Sequence, residues 1–401
     1  MITLKPPDAE RVVESLRAGI PPAGHLRDFT VGRQQQIQQL ISGLDPEGDD
    51  GSTVLLLQAN YGAGKTHLLR LVREEALDNG YVVALVTVDS KSNVRFNRMD
   101  QVLGAVMRNI ELPGVTDKGI GAMFDAFLTF DEESLTSRLA GDRRAVSDQE
   151  RWSSSSVLRS DPLWIALRSW HLSRGNETKP MISDWLSNSW EYKSRPGNLY
   201  RKLIKTLPPS VKDPRDEKAY YQEKSFMFDV AGHRASWDAL NDLDLLARMS
   251  GFRGLVLLFD EFEDVIQNMN NIAYERAAFN NLLRLFDERT YVGSAYFAVT
   301  PEFSERCRDR LFQKEHYDFP VDRFDDLERI KMSPVTKRQF GPLAKKIRDT
   351  HGLAYSWEPV ATIGDNELDR IVDSLFTRGS ADQVRQAMIG LVEALDQALD
   401  E

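Results

Sequence analysis

Residues 59–66 read Ala-Asn-Tyr-Gly-Ala-Gly-Lys-Thr, one residue away from the pattern Gly-x-x-x-x-Gly-Lys-Ser/Thr. A short apolar run, 53–58, precedes this stretch, and residues 67–77 carry apolar side chains at helical spacing. When a strand, a glycine loop and a helix follow one another, the backbone N–H groups of the loop and of the helix N-terminus can surround a phosphate. The sequence therefore predicts a phosphate-binding loop in which Ala59 is a tolerated replacement for the first glycine.

The loop pattern assigns a role to each of its last two residues. We expect Lys65 to reach the β- and γ-phosphates of bound ATP and the Thr66 hydroxyl to hold Mg²⁺. Upstream of the loop, Gly32 and Arg33 lie where a backbone segment could contact adenine. The nucleotide-binding residues predicted from the loop itself are Asn60, Tyr61, Gly62, Ala63, Gly64, Lys65, Thr66 and His67.

Continuous apolar runs predict the remaining strands of a buried sheet. They alternate with amphipathic helical segments, which favours a parallel α/β sheet whose ligand lies at the carboxyl ends of the strands. The strands are expected at 81–89, 254–261 and 293–300, with a short one at 330–333. The helices are expected at 8–18, 37–44, 67–77, 99–110, 240–249 and 273–287, from a Thr336 N-cap to about 351, and at 382–399.

Two acids and a hydroxyl stand at predicted strand ends. Asp260 is placed to bind Mg²⁺, and Glu261 beside it is placed to polarise a water for attack on the γ-phosphate. A kinase that carries its own acceptor has no need of a water-activating acid, so Glu261 favours hydrolysis. Thr300 ends the next strand, where its hydroxyl could hold that water or sense the γ-phosphate. The alternative for Glu261, Glu263 and Asp264 is a solvated acidic loop.

Several arginines follow the fourth predicted strand, and any of them could complete the site of a neighbouring subunit. Arg310 and Arg323 are the candidates for this arginine finger, with a solvated basic face as the alternative. In the C-terminal helix, Arg385 could reach the γ-phosphate from a lid. The sequence leaves open which arginine acts in either role.

Composition bounds the class of protein. The chain has 401 residues, a net charge of −10, one cysteine and 28% charged residues, as in globular proteins. No stretch approaches the roughly 20 apolar residues of a membrane helix, and the N-terminus lacks the apolar core of a signal peptide. We therefore expect a cytoplasmic protein without disulfide bonds or membrane contact.

One stretch departs from this acidic balance. Residues 151–224 hold 14 Lys and Arg against 8 Asp and Glu, and five of the seven tryptophans of the chain. Basic residues could grip phosphates of DNA while aromatic rings stack on bases. The alternative, which the sequence favours, is a small helical core built on the tryptophans with a solvated basic surface.

These motifs together resemble AAA+ ATPases, especially the origin-recognition-like branch, over roughly residues 29–110 and 240–395. More narrowly, the chain is similar to the ATP-binding proteins of bacteriophage-exclusion (BREX) defence systems. The similarity is carried by segments 16–21 (Leu-Arg-Ala-Gly-Ile-Pro), 29–33 (Phe-Thr-Val-Gly-Arg), 60–69, 258–263 (Leu-Phe-Asp-Glu-Phe-Glu) and 332–336 (Met-Ser-Pro-Val-Thr).

The resemblance implies an α/β P-loop NTPase of AAA+ type with a parallel sheet, a helical insertion and a small C-terminal helical lid. Lys65, Thr66, Asp260 and Glu261 then take the Walker roles in an Mg²⁺-dependent ATPase of a bacterial anti-phage or DNA-handling assembly. The expected divisions are an N-terminal segment (1–28), a nucleotide-binding core (29–112 and 238–335), an insertion (113–237) and a lid (336–401).

The sequence is also consistent with other functions. The chain could be a nucleotide-gated scaffold with little turnover that recruits a helicase, nuclease or methyltransferase. It could also load DNA directly through the insertion. Its partners are expected to be other protein subunits, including further copies of itself, with DNA bound directly or through those partners.

Overall fold

The computed structural model describes most of the chain, apart from several loops and much of the basic stretch. All structural statements below concern the described residues, which are 4–44, 53–88, 94–129, 158–173, 177–188, 228, 234–263, 271–286, 290–313, 320–376 and 383–400. No helix in these ranges is long and apolar enough to cross a membrane.

A sheet of six strands forms the centre of the molecule, in the order β3-β2-β4-β5-β1-β6. All neighbouring pairs are parallel except β2 and β3, which are antiparallel. The sequence predicted a parallel sheet but not β3, whose two residues are too few to leave a pattern. The strands are β1 (Val54–Gln58), β2 (Val82–Thr87), β3 (Ile110–Glu111), β4 (Leu255–Asp260), β5 (Ser294–Val299) and β6 (Arg329–Lys331).

The strand order brings three predicted site segments together. Strand β5 lies between β1 and β4, with Gln58 opposite Val299 and Phe259 opposite Phe297. Because these strands are parallel, the loop after β1, the acids that end β4 and Thr300 after β5 all lie at the same edge of the sheet.

Helices cover both faces of the sheet, because successive side chains of a strand point to opposite faces. Leu55 and Leu57 of β1 join one apolar cluster, whereas Leu56 joins the cluster on the other face. The helices are α1 (Pro6–Arg17), α2 (Gln34–Ser42), α3 (Lys65–Asp78), α4 (Met99–Arg108), α5 (Ile120–Phe127), α6 (Asp161–Leu172), α7 (Thr178–Ser187), α8 (Arg234–Met249), α9 (Ile272–Phe286), α10 (Phe303–Gln313), α11 (Lys337–Tyr355), α12 (Pro359–Thr362), α13 (Asp365–Leu375) and α14 (Gln383–Asp400).

The predicted Thr336 N-cap is confirmed. The Gln339 N–H donates to Thr336 Oγ1 at 3.3 Å, and the Thr336 N–H donates to Gln339 Oε1 at 2.8 Å. This reciprocal capping box satisfies N–H groups that the first turn of α11 leaves without helical partners. Helices α10, α12 and α13 were not predicted from the sequence.

Helix α1 packs with the C-terminal helices and not with the sheet. Val12, Val13 and Leu16 share one apolar cluster with residues of α11, α13 and α14. The Arg17 guanidinium donates to both carboxylate oxygens of Asp396 on α14, at 3.0 and 2.7 Å. The predicted N-terminal segment and the predicted lid are therefore in direct contact, although the domain boundaries themselves stay a prediction.

The described tryptophans of the basic stretch are core residues, as the structural interpretation expects, but they join the main core and do not form a small core of their own. Trp164, Trp170 and Trp185 are buried in the same apolar cluster as the sheet. The Trp170 indole N–H donates to Asp125 Oδ1 at 2.8 Å. Rings buried in a core are not available to stack on bases. Trp152 and Trp190 lie outside the described residues.

Candidate functional site

The loop after β1 has the backbone that its glycines predict. Gly62 and Gly64 have φ of 74° and 92°, in the left-handed region that residues with a side chain rarely adopt. Helix α3 begins immediately at Lys65, and no side chain caps its first turn. Its first N–H groups are therefore available for the oxygens of an anion.

Ala59 fits the first loop position for two reasons. Its backbone is not left-handed, since Glu261 and Ser356 are the two non-glycine residues with positive φ in the described ranges. The residue is 1% exposed and belongs to the apolar cluster on the α3 face of the sheet. The φ angle at this position therefore does not require glycine.

Lys65 is held by two oxygens at the base of the loop. Its Nζ donates to the Ala59 carbonyl at 3.1 Å and lies 3.3 Å from Glu263 Oε1. Burial raises the pKa of Glu263, and the ammonium of Lys65 opposes that rise. The sequence placed Glu263 only in an acidic loop. Its ion pair with Lys65 depends on a turn after β4 that no local pattern predicts.

The two acids at the end of β4 differ in solvent exposure and in backbone conformation. Asp260 is 6% exposed, and its Oδ1 accepts the Glu261 N–H at 3.0 Å. Glu261 is exposed and has a φ of 55°, a conformation that costs a non-glycine residue about 1 kcal/mol. Strained backbone of this kind clusters at functional sites, where the surrounding structure holds it in place.

The donor set suits Mg²⁺. A buried carboxylate on Asp260 and the hydroxyl of Thr66 both border one cavity. Mg²⁺ is commonly held by one or two carboxylates together with phosphate oxygens and several waters. In the described ranges, no group of three or more His, Cys, Asp or Glu residues forms a protein-only metal site. The residues therefore fit a metal that binds together with a nucleotide.

The cavity has a volume of about 420 Å³, which suits a small-molecule ligand. The loop after β1 and the acids at the end of β4 form the polar part of its border. The rest of the border is mostly apolar and comes from the segment after α1, the residues after β6 and the helices α11 and α14. Predicted site residues that border it are Arg33, Tyr61, Gly62, Ala63, Gly64, Lys65, Thr66, His67, Asp260, Glu261 and Arg385.

Other predicted site residues do not border this cavity. Asn60 and Gly32 are adjacent in sequence to residues that do. The hydroxyl of Thr300 is buried without a hydrogen-bond partner in the described part of the chain. Arg310 donates to the buried Glu275 at 3.0 Å, and Arg323 lies in a short 3-10 helix at Val321–Phe324. Their roles as finger or sensor stay predictions.

The side chain of Arg33 links two segments beside the cavity. Its guanidinium is buried and donates to the Ala63 carbonyl at 3.0 Å and to the Ser333 carbonyl. Burial lowers its pKa from the ordinary value. The side chain therefore ties the phosphate loop to the segment that leads into α11. The predicted adenine contact of Gly32 and Arg33 stays a prediction.

His67 is oriented by Thr30. The Thr30 hydroxyl donates to the Leu26 carbonyl at 2.6 Å and lies 2.6 Å from His67 Nε2. Because that hydroxyl proton is already used, His67 Nε2 carries the proton and donates to Thr30 Oγ1. Burial, reinforced by Arg33 and Arg70, lowers the pKa of His67 to about 4. The imidazole is therefore neutral at the cavity wall.

We expect this neutral histidine to make stability depend on pH. Below pH 6.5 the unfolded chain binds a proton at His67 that the folded chain does not bind until about pH 4. The free energy of unfolding should thus fall by about 1 kcal/mol from this group between pH 6.5 and 5.5. Urea unfolding of wild type and His67→Gln at both pH values measures the difference. Equal losses in the two proteins would contradict the placement of His67.

Comparison with known proteins identifies one family. The family model described as BREX system ATP-binding protein BrxC/D matches residues 4–157 and 224–400. The match covers most of the chain, including every predicted site residue, and leaves out most of the basic stretch. Comparison with the curated proteins and with the solved structures gives no match.

Proposed function

The chain belongs to the family of BREX system ATP-binding proteins, and from this premise we propose that it is an Mg²⁺-dependent ATPase of AAA+ type. In this proposal its ATP cycle drives assembly or conformational switching of a DNA-associated phage-defence complex. The observation that carries the proposal is that Lys65, Thr66, Asp260, Glu261 and Arg385 all border the same cavity.

The cavity supports each part of the reaction. The phosphates would lie on the loop and the first turn of α3, with Lys65 exchanging Glu263 for phosphate oxygens. Mg²⁺, held by Thr66 and Asp260, would neutralise charge on the phosphates. Glu261 would orient and deprotonate the attacking water, and its exposed carboxylate at the end of β4 is consistent with that role.

The apolar part of the cavity border supports a switching role. Phe29, Leu343 and Met388 belong to or pack on the apolar cluster of α1, α11 and α14, which is separate from the clusters on the sheet. A nucleotide in the cavity would contact both this helical unit and the phosphate loop. Occupancy of the γ-phosphate site, read by Arg385, would then bias their relative position, as phosphate contacts do in other switches.

We infer partner subunits from the family and not from an interface in the described structure. BREX system membership implies a multi-protein complex. We propose that a neighbouring subunit, either another copy or a different protein, completes the site with an arginine such as Arg310 or Arg323. Arg310 is anchored by Glu275, so it would act from a fixed position on α10. DNA would be bound through the complex.

The test is to measure ATP binding and phosphate release by the purified full chain with Mg²⁺ and with EDTA. Both measurements are made with and without duplex DNA, and mass in solution is recorded in parallel. We expect Mg²⁺-dependent ATP binding and turnover. ATP binding without turnover under all these conditions would favour the nucleotide-gated scaffold. Absence of ATP binding would refute both proposals.

A further inference from the structure

Gly19 has an unusual position at the end of α1. Its N–H donates to the Leu16 carbonyl at 2.9 Å, and the N–H of Ile20 donates to the Ser15 carbonyl at 2.8 Å. This pair of hydrogen bonds is the Schellman motif, in which the residue at the position of Gly19 adopts left-handed backbone. The φ of Gly19 is +65°, as the motif requires.

A second feature of the structure, besides the left-handed backbone, favours glycine at position 19. A Cβ atom built on Gly19 would lie 2.6 Å from Arg385 Nε and 2.9 Å from Arg385 Cγ. It would also lie 2.9 Å from Ile389 Cδ1, one helical turn further along α14. The arginine side chain thus runs across the space that any larger residue would fill at position 19.

Gly19 and Arg385 both border the cavity that contains Lys65. The course of the arginine along the cavity wall is therefore set by a residue on a different element, at the end of α1. We propose that Gly19 is a positioning residue for Arg385, and that its missing side chain places the arginine for contact with the phosphates. This proposal rests on the proposed function, in which Arg385 responds to the γ-phosphate.

The proposal explains why the segment after α1 belongs to the nucleotide site. Arg17 is bound to Asp396 near the end of α14, and Gly19 contacts Arg385 near its start. Two contacts on one helix hold α1 and α14 as a unit. A shift of Arg385 on nucleotide binding would then be transmitted to α1.

Gly19→Asn is the informative variant, because asparagine tolerates left-handed backbone while its Cβ still meets Arg385. Gly24→Asn is the matched control, since Gly24 has a φ of +77° and nothing within 4 Å of a built Cβ. Melting by circular dichroism shows whether each variant folds. If Gly19→Asn does not fold, Gly19→Ala replaces it, with Gly24→Ala as its control.

The first readout is hydrogen exchange in the absence of nucleotide. We expect Gly19→Asn to accelerate exchange by about tenfold or more in peptides from 383–390, through displacement of Arg385 and Ile389. Gly24→Asn should leave these peptides unchanged. Unchanged exchange in Gly19→Asn, or equal acceleration in both variants, overturns the proposal whether or not the protein hydrolyses ATP.

The second readout is the kcat for ATP hydrolysis in a double-mutant cycle. Loss of one charge-stabilising contact costs about 100-fold in kcat, so we expect at least a tenfold loss in Gly19→Asn. Gly19→Asn with Arg385→Ala should match Arg385→Ala alone within about twofold, because both changes remove the same contact. A double variant whose loss is the product of the single losses would overturn the coupling. An inactive wild type would instead refute the proposed ATPase.

Discussion

Lys65→Ala should abolish ATP binding at concentrations where the wild type is saturated. Lys65 is 8% exposed and is the first residue of α3, directly after the loop that we expect to hold the β- and γ-phosphates. A charge-assisted hydrogen bond to phosphate in such a partly desolvated site contributes about 1.5–3 kcal/mol. Because we expect Lys65 to contact two phosphates, both contacts are lost in the variant. The affinity for ATP should therefore fall by about 100-fold or more.

The measurement is isothermal titration of ATP into the purified variant, with a control for folding. Removing Lys65 leaves the carboxylate of Glu263 buried without its ion-pair partner, which is destabilising by itself. Lys65→Ala combined with Glu263→Gln removes that unpaired charge. If the double variant is folded and still does not bind ATP, the loss belongs to Lys65. Wild-type affinity in either variant would mean that the loop does not bind the phosphates.

Glu261→Gln should retain ATP binding while phosphate release falls by about 100-fold to 10,000-fold. General-base catalysis contributes a factor of this size, and an amide cannot accept the proton of the attacking water. Glutamine has nearly the same shape as glutamate, so the left-handed backbone at position 261 is strained equally in both proteins. The change therefore isolates the carboxylate.

The measurement pairs ATP affinity with single-turnover hydrolysis. Glu302→Gln is the matched control, because Glu302 is also an exposed acid shortly after a strand at the same edge of the sheet. We expect Glu302→Gln to hydrolyse ATP at the wild-type rate. If Glu261→Gln hydrolyses ATP as fast as this control, Glu261 is not the general base and the solvated acidic loop is the better interpretation.

Most strands and the phosphate loop could be predicted because their signals are local. The runs that form β1, β2, β4 and β5 are apolar except for one end residue in each, since helices cover both faces of a parallel sheet. Gly62 and Gly64 mark left-handed backbone wherever they stand in the fold. Strand β3 and helix α12 escaped prediction because two and four residues are too few to show a period. Helix α10 carries many charged residues, which obscure its apolar positions. Helix α13 is amphipathic, with Leu368 and Val372 buried on one face, so its spacing could have predicted it.

The sequence by itself determined the family, the phosphate loop and the acids that follow β4, because these depend on residue types at fixed spacing along the chain. Only the tertiary structure decided that Glu263 pairs with Lys65, that Ala59 directs its methyl group into the core, and that Gly19 accommodates Arg385. These contacts join residues on separate elements, up to 366 positions apart between Gly19 and Arg385. They arise when the folded elements pack together. Local sequence patterns do not predict which distant side chains will then be in contact.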